Sequence, residues 1–328
     1  MLDKKIIGLR LAAYRRELHL TQEQLAEKLG VTPQAISRWE TGLSMPEIDS
    51  LLAFSKLTKV SINDLIEGED ILGKISKRPF LLEDIAYYNG NDEVDPAWAD
   101  KIKEQGWIDR NYETHQKRFI ENGPSKISQI VSDHGGLILE TGAGPGGGFA
   151  IDLLFHNPGS RIIFNDLSPT ILKEWQRKLT TGASDGIVYP NLHFAAFSFL
   201  DIPFKDDTID IVSDGGGIGN AIGGDKNNAY KEVYRVLKND GLFITGGGYV
   251  TRETLSALPQ DIGKEITLQR PDVLDNCYNG LVEAGFTHIE TMVTGGWYTE
   301  NDDSTIADLA RSLGVNLKFT GLLRICRK

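Results

Sequence analysis

Apolar residues recur along this chain with two different periods. Between Thr21 and Glu40 they return every three or four positions, as Leu25, Ala26 and Leu29, then Ala35, Ile36 and Trp39. That spacing predicts two short amphipathic helices. Thr21-Gln-Glu-Gln24 is a capping box for the first, Gly30-Val31 makes the turn, and Thr32-Pro33 supplies an N-cap with proline at the first position of the second. The second helix runs to about Glu40, with Gly42 just beyond it as a C-cap. Further on, compact apolar runs of strand character stand at Leu137–Glu140, Arg161–Asn165, Leu192–Phe197, Ile209–Ser213 and Leu242–Thr245. Helical stretches from Phe149, at Pro169–Leu179 and at Lys226–Leu237 alternate with them. A helix around Asp272–Ala284, a strand His288–Val293, a helix Ser304–Leu313 and a last strand Leu317–Cys326 close the pattern. This alternation predicts an α/β domain with a doubly wound sheet, preceded by a small all-α domain.

The organisation that follows is an all-α domain over 1–67, a linker over 68–80, a helical cap over 81–126 and the α/β domain over 127–328. The linker mixes charges, glycine and proline. The cap is rich in aromatics, among them Trp107, Tyr112 and Phe119. A length of 328 residues suits about two domains. The net charge of −11 changes the picture, because it is unevenly placed: residues 1–68 carry nine Lys/Arg against nine Asp/Glu. The acidic remainder argues against broad nucleic-acid contact there, so any such contact belongs to the N-terminal domain. Cys277 and Cys326 make no disulfide framework, which points to a reducing cytoplasm. Charged residues Arg15, Arg16 and Glu17 interrupt any signal-peptide core, and no apolar run is long enough to span a bilayer. The histidines show no ligand spacing, so no metal is expected.

The chemistry concentrates after the first strand of the α/β domain. Leu137–Phe149 reads LILETGAGPGGGF: a strand ending in Glu140, a turn dense in glycine, then a helix start. Glycines there let a ligand lie against bare main chain, and the amides at the helix start can hold an anionic group. One strand later comes Asp166, placed to take ribose hydroxyls. Gly142-Ala-Gly144-Pro-Gly146-Gly147 alone also fits a dinucleotide fingerprint. Glu140, Asp201-Ile-Pro-Phe-Lys-Asp-Asp-Thr-Ile-Asp and Glu232-Val-Tyr-Arg-Val-Leu-Lys-Asn-Asp-Gly, in that order, decide against it. From about Ile127 on, the chain resembles the class I S-adenosylmethionine-dependent methyltransferases, in their ubiquinone/menaquinone-methyltransferase-like branch.

That resemblance implies a Rossmann-like seven-stranded sheet and S-adenosyl-L-methionine as cofactor. It implies that Glu140, Gly142, Ala143, Gly144 and Gly146 hold the methionine end and Asp166 the ribose, with Leu167 flanking the adenine. Ser198 stands where the family usually has Asp or Asn at the adenine amine, and Phe199 would offer its main-chain N–H to the ring. It also makes Trp107, Tyr112 and His115 candidate lid residues, packing against the sheet being the alternative. Asp214 and Asn220, around three consecutive glycines, are candidates to orient a methyl acceptor, with His193 or His288 as base. Positioning alone can supply several kcal/mol of the barrier to an in-line methyl transfer. The chain lacks both the Asn/Asp-Pro-Pro-aromatic element of amino-methylating enzymes and a Pro-Cys nucleophile.

In the N-terminal domain, Ala35, Ile36 and Trp39 share one face of the second helix, and Pro33, Gln34, Ser37 and Arg38 share the other. Gln pairs with adenine and Arg with guanine in the major groove. Gln22…Ala26…Gly30-Val31…Ile36-Ser37-x-Trp39-Glu40 resembles the phage-repressor/Cro-like helix-turn-helix family. The resemblance implies that Gln34, Ser37 and Arg38 face base edges of double-stranded DNA and Gln22 a phosphate, in a homodimer on an inverted repeat. Three functions fit the two halves: a small-molecule methyltransferase fused to a transcriptional regulator, a regulator whose second domain only senses the cofactor or a metabolite, and a nucleic-acid methyltransferase.

Overall fold

Five helices open the chain: α1 (Lys4–Glu17), α2 (Gln22–Leu29), α3 (Pro33–Glu40), α4 (Ile48–Thr58) and α5 (Ile62–Glu67). The computed structural model describes residues 3–68, 74, 80–82, 85–88, 96–181, 189–220, 226–269, 278–301 and 305–328. The predicted caps are present. Thr21 accepts from the Gln24 amide while the Gln24 side chain accepts from the Thr21 amide, and Thr32 accepts from the Ala35 amide. Gly30 takes the left-handed conformation that ends α2. Leu11, Tyr14, Leu25, Ile36 and Phe54 form the core of this unit.

Two three-residue strands, β1 (Phe80–Leu82) and β2 (Ile85–Tyr87), come next, followed by α6 (Pro96–Glu104), α7 (Trp107–Asn122) and α8 (Lys126–His134). The α/β region then runs β3 (Leu137–Thr141), α9 (Ala150–His156), β4 (Arg161–Asp166), α10 (Pro169–Gln176), β5 (Leu192–Ala196), β6 (Ile209–Asp214), α11 (Gly217–Asn220), α12 (Lys226–Val236) and β7 (Leu237–Tyr249). It ends with α13 (Arg252–Ser256), α14 (Gln260–Gln269), α15 (Tyr278–Ala284), β8 (His288–Tyr298), α16 (Thr305–Ser312) and β9 (Lys318–Arg327).

The sheet order is β1-β2-β5-β4-β3-β6-β7-β9-β8. Its seven strands from β5 to β8 are the expected doubly wound set, with β9 antiparallel to both β7 and β8. The other two correct an expectation: the start of the 81–126 segment is strand rather than helix, and β2 extends the sheet by pairing parallel with β5. Helices cover both faces. Ile138, Phe164, Ile211 and Ile244 pack on one side with Ile151 and Leu154 of α9, and Leu139, Ile163, Val212 and Phe243 on the other with Tyr230 and Val233 of α12. Beyond the parallel core, β7 continues through Gly246–Tyr249 beside β9 and β8. There Trp297 stacks on Phe319, their ring centroids 5.4 Å apart, directly over Gly248.

The N-terminal unit is docked on the α/β body through α1. Arg10 Nε donates to Asn191 Oδ1 at 2.8 Å, Arg16 Nη1 to Asn157 Oδ1 at 2.8 Å, and Arg161 pairs with Glu17 at 3.1 Å. Asn157, Arg161 and Asn191 stand just before or at the starts of β4 and β5, so α1 lies under the N-terminal edge of the parallel strands. A Cβ on Gly159 would lie 2.7 Å from Ala13 Cβ and 2.8 Å from Leu9 O, which shows how closely α1 approaches. On its other side, α1 meets Trp39 and Glu40 of α3 through Gly8. Most of the expected linker lies outside the described residues.

Candidate functional site

The glycine loop sits at the C-terminal edge of β3, held from below by Asn165 and Asp166 of β4. Asn165 Oδ1 accepts from the Gly142 amide at 3.3 Å, and its Nδ2 donates to the carbonyls of Ala195 and Phe197. The Ala143 amide bonds to Asn165 O at 2.8 Å. Asp166 accepts from Gly144 N through Oδ2 and from Ser168 N through Oδ1, each at 2.8 Å. Burial pushes its carboxyl above the ordinary range against the pull of these amides. Trp175 Nε1 donates to Gly144 O, and Asn111 Nδ2 of α7 to Pro145 O, so α7 does lie against the loop.

Glu140 is fully buried beneath this loop. Ser213 Oγ donates to its Oε2 at 2.5 Å, but Oε1 has no hydrogen-bond partner. Burial pushes its carboxyl up to about 8, with nearby Asp214 adding to the rise and the Ser213 bond opposing it. Gly148, at φ +60, lies so close that any side chain there would collide with this carboxylate. A Cβ on Gly215 would lie 2.9 Å from Gly148 Cα, so the loop after β3 and the turn after β6 touch through bare main chain. The amides of Phe149 and Gly215 also draw on this carboxyl without a well-formed hydrogen bond to Oε1, and the result is an acidic, water-excluding cradle chemically suited to a cationic amino group.

In the N-terminal unit, Gln34 and Arg38 are exposed and Ser37 half-buried on one side of α3, while Ile36 is in the core. Gln22, expected at a phosphate, donates its amide nitrogen to Glu40 at 2.8 Å. Arg15 forms a two-pronged pair with the same carboxylate.

Residues 11–65 match the family described as helix-turn-helix, and residues 139–245 the family described as methyltransferase domain. The chain joins a helix-turn-helix domain to a methyltransferase domain. Among curated relatives, the HTH-type transcriptional activator BcrR of Enterococcus faecalis is 44% identical over 63 residues, covering 19% of this chain and 31% of that protein. The ubiquinone/menaquinone biosynthesis C-methyltransferase UbiE of Rickettsia felis is 30% identical over 137 residues, covering 42% of this chain and 50% of that protein. Among solved structures, an arsenic(III) S-adenosylmethionine methyltransferase from Chlamydomonas reinhardtii superposes with a TM-score of 0.44 at 20% identity, over 59% of this chain and 64% of that one. The chain spans between about a third and a half of the length of the curated relatives it matches.

Within the methyltransferase domain, the expected residues divide. Glu140, Gly142, Ala143, Gly144, Gly146 and Asp166 stand together at one edge of the sheet. Ser198 spends its hydroxyl locally, accepting from the Leu200 amide at 3.2 Å, and Phe199 packs partly against the core. Leu167 follows Asp166 half-buried. Asp214 is fully buried, and its oxygens accept from the Ile218 amide at 3.0 Å and Thr245 Oγ1 at 2.9 Å. These bonds tie it to the glycine turn, and burial pushes it up to about 6. The side chain of Asn220 lies outside the described residues.

Both histidines expected as bases stand away from this edge. His193 pairs level with Ile163, three residues before Asp166, about 10 Å below the edge that carries the loop. His288 is level with Arg327 and so with Leu242 at the same lower end. A strand delivers chemistry to this site only from its C-terminal end, and both histidines stand near strand starts. Of the lid candidates, Tyr112 is core, its hydroxyl 3.2 Å from that of Tyr189. His115 Nδ1 meets Asp152 of α9 at 2.8 Å, and Trp107 packs partly on the core. Sequence reading missed Asn165, Trp175, Ser213 and Asn111. Asn165 had a signal, as a polar residue inside a buried strand.

Proposed function

We propose that this protein is an S-adenosylmethionine-dependent methyltransferase of a small-molecule acceptor, fused to a sequence-specific DNA-binding regulator. The observation that carries the reading is Glu140: a fully buried carboxylate under a glycine loop, one of its oxygens without a well-formed hydrogen bond, where the loop after β3 and the turn after β6 meet through glycine. That cradle fits the amino end of the cofactor, and Asp166, which has lone pairs left on both oxygens, fits its ribose. When bound, the cofactor supplies an electrophilic methyl group. The chain's own residues then bind, orient and exclude water. Glu140 anchors one end, the main chain of the loop lines the contact, and the Gly215–Gly217 turn leaves room for an acceptor. Neither His193 nor His288 reaches this edge, so orientation is the main contribution we assign to the protein.

A small acceptor is favoured over a nucleic acid by the position of the DNA-reading helix. The helix-turn-helix domain hangs from the N-terminal edge of the strands, and the loop crowns the C-terminal edge, about 20 Å away across β4. A duplex on α3 is therefore remote from Glu140. The domain pairs as a homodimer on an inverted repeat in this reading, because one such helix reads few bases. The protein works where its DNA is, in the cytoplasm, in keeping with the lack of any membrane-crossing helix among the described residues.

Calorimetry with S-adenosylhomocysteine tests the cofactor assignment. Binding is expected, and Asp166→Ala is expected to weaken it by about 1.5–3 kcal/mol as charge-assisted hydrogen bonds are lost. Tight binding of a nicotinamide dinucleotide with none of S-adenosylhomocysteine would overturn it. Label transfer from methyl-labelled cofactor to a small molecule of cell extract separates an enzyme from a sensor, which binds without turnover.

A further inference from the structure

Among the described residues, two buried side-chain atoms lack a hydrogen-bond partner: Glu140 Oε1, assigned above to the proposed cofactor cradle, and Arg324 Nε. Arg324 lies in β9 and is 6% exposed. Among the described residues no carboxylate pairs with its guanidinium and no side chain hydrogen-bonds to it. A buried charge without a counter-charge is costly, and proteins rarely keep one that nothing will answer.

Its location gives the cost a use. Cross-strand partners share a face of the sheet. Asp214 of β6 is level with Thr245 of β7, Thr245 with Arg324, and Arg324 with Thr291 of β8, so the four form one row across the C-terminal edge. Thr245 turns its hydroxyl to Asp214, which leaves Arg324 the unanswered member. Two residues further along the same face, Gly247 has nothing within 4 Å of where a Cβ would point, and Val293 is exposed. The row therefore opens outward beside the glycine turn that follows Asp214.

We propose that Arg324 anchors a carboxylate of the methyl acceptor, so that the substrates of this protein are small carboxylic acids. The proposal rests on the methyltransferase reading above and narrows it. A single guanidinium balances a single negative charge and offers a planar fork, which suits a carboxylate better than a phosphate dianion. Two strand spacings separate Arg324 from Asp214, about 10 Å, and this sets the span between the acid group and the reactive end.

The test uses the full-length protein saturated with S-adenosylhomocysteine and follows the Arg324 Nε–H signal by nitrogen-resolved NMR. Probes are benzoate, its uncharged counterpart benzyl alcohol, and inorganic phosphate. Benzoate is expected to shift the signal saturably, with phosphate at least threefold weaker and benzyl alcohol without effect. Arg324→Lys keeps the charge but loses the fork, and should weaken benzoate at least tenfold while retaining S-adenosylhomocysteine affinity. Should Arg324→Lys fail to fold, the wild-type titration decides alone. No saturable benzoate shift, equal response to benzyl alcohol, or tighter phosphate binding overturns the proposal. Failure to bind S-adenosylhomocysteine at the outset would instead sink the methyltransferase reading.

Discussion

At the scale of single residues, burial and hydrogen bonding pull Glu140 in different directions. Its folded carboxyl sits at about 8, against an ordinary 4.5. Below the ordinary value it is protonated in folded and unfolded chains alike. Between the two values the unfolded chain is ionised and the folded one is not, so stability falls as pH rises, and levels off above about 8. Glu140→Gln removes that slope: melting temperatures of wild type and variant should diverge with rising pH across this window, the wild type losing ground. A cationic amino group paired to Glu140 stabilises its ionised form, so cofactor binding near neutrality should release a proton. Calorimetry in buffers of different ionisation enthalpy should find the release in wild type and none in Glu140→Gln. On the DNA side, Arg38 is exposed, and among the described residues its guanidinium makes no hydrogen bond that would compete. Arg38→Ala should cost about 1–3 kcal/mol of specific binding and relax one base position in selections from random duplexes.

At the scale of elements, what was legible in the sequence followed what each element buries. The central strands announce themselves because residues such as Leu137 to Thr141 are buried on both faces, and the caps of α2 and α3 because their side chains have fixed local work. β1 and β2 carry three residues each, too few for any period, and their strand state comes from pairing with each other and with β5. β7 runs to Tyr249 rather than Thr245 since Gly246–Gly248 have no side chains to register a pattern, and only β9 reveals them as strand. The proposed cofactor cradle was legible because glycines and acids mark it directly. His193 stands early in its strand, away from the loop edge, a position its place in the sequence run already showed. The docking of α1 had no signal: Arg10 and Arg16 look like solvated charges until Asn191 and Asn157 face them. This contact makes its own prediction. Gly159→Val would drive side-chain atoms into Ala13 and the Leu9 carbonyl, far from both Glu140 and Arg38. It should lower the melting temperature, by an overpacking cost of about 1–3 kcal/mol. Amide exchange in α1 should rise while that in β3 keeps its wild-type protection.

At the scale of the whole molecule, one helix bridges the two candidate sites. α9 begins directly after the glycine loop and ends at His156, and the next residue, Asn157, is the one Arg16 of α1 holds. α1 in turn packs on α3 through Gly8, and Arg10 also ties α5 to the body by donating to Ile66 O at 2.6 Å. Any adjustment of the loop on closing over a ligand therefore acts on a rigid rod about 10 Å long whose far end touches the DNA-reading domain. A displacement of α1 alters the angle between paired recognition helices, and half-site spacing tolerates little such change. Coupling between ligand and operator should follow. By linkage, a ligand that changes DNA affinity tenfold must have its own affinity changed tenfold by DNA, a coupling of about 1.4 kcal/mol. We expect a value of that order with S-adenosylhomocysteine present or absent, measured by operator titration at fixed salt. Arg16→Ala should shrink the coupling while leaving S-adenosylhomocysteine affinity in the absence of DNA near the wild-type value, because Arg16 meets the body at the opposite edge from the loop. Identical operator curves in every ligand state would mean that α1 is a fixed mount and that the two domains act independently.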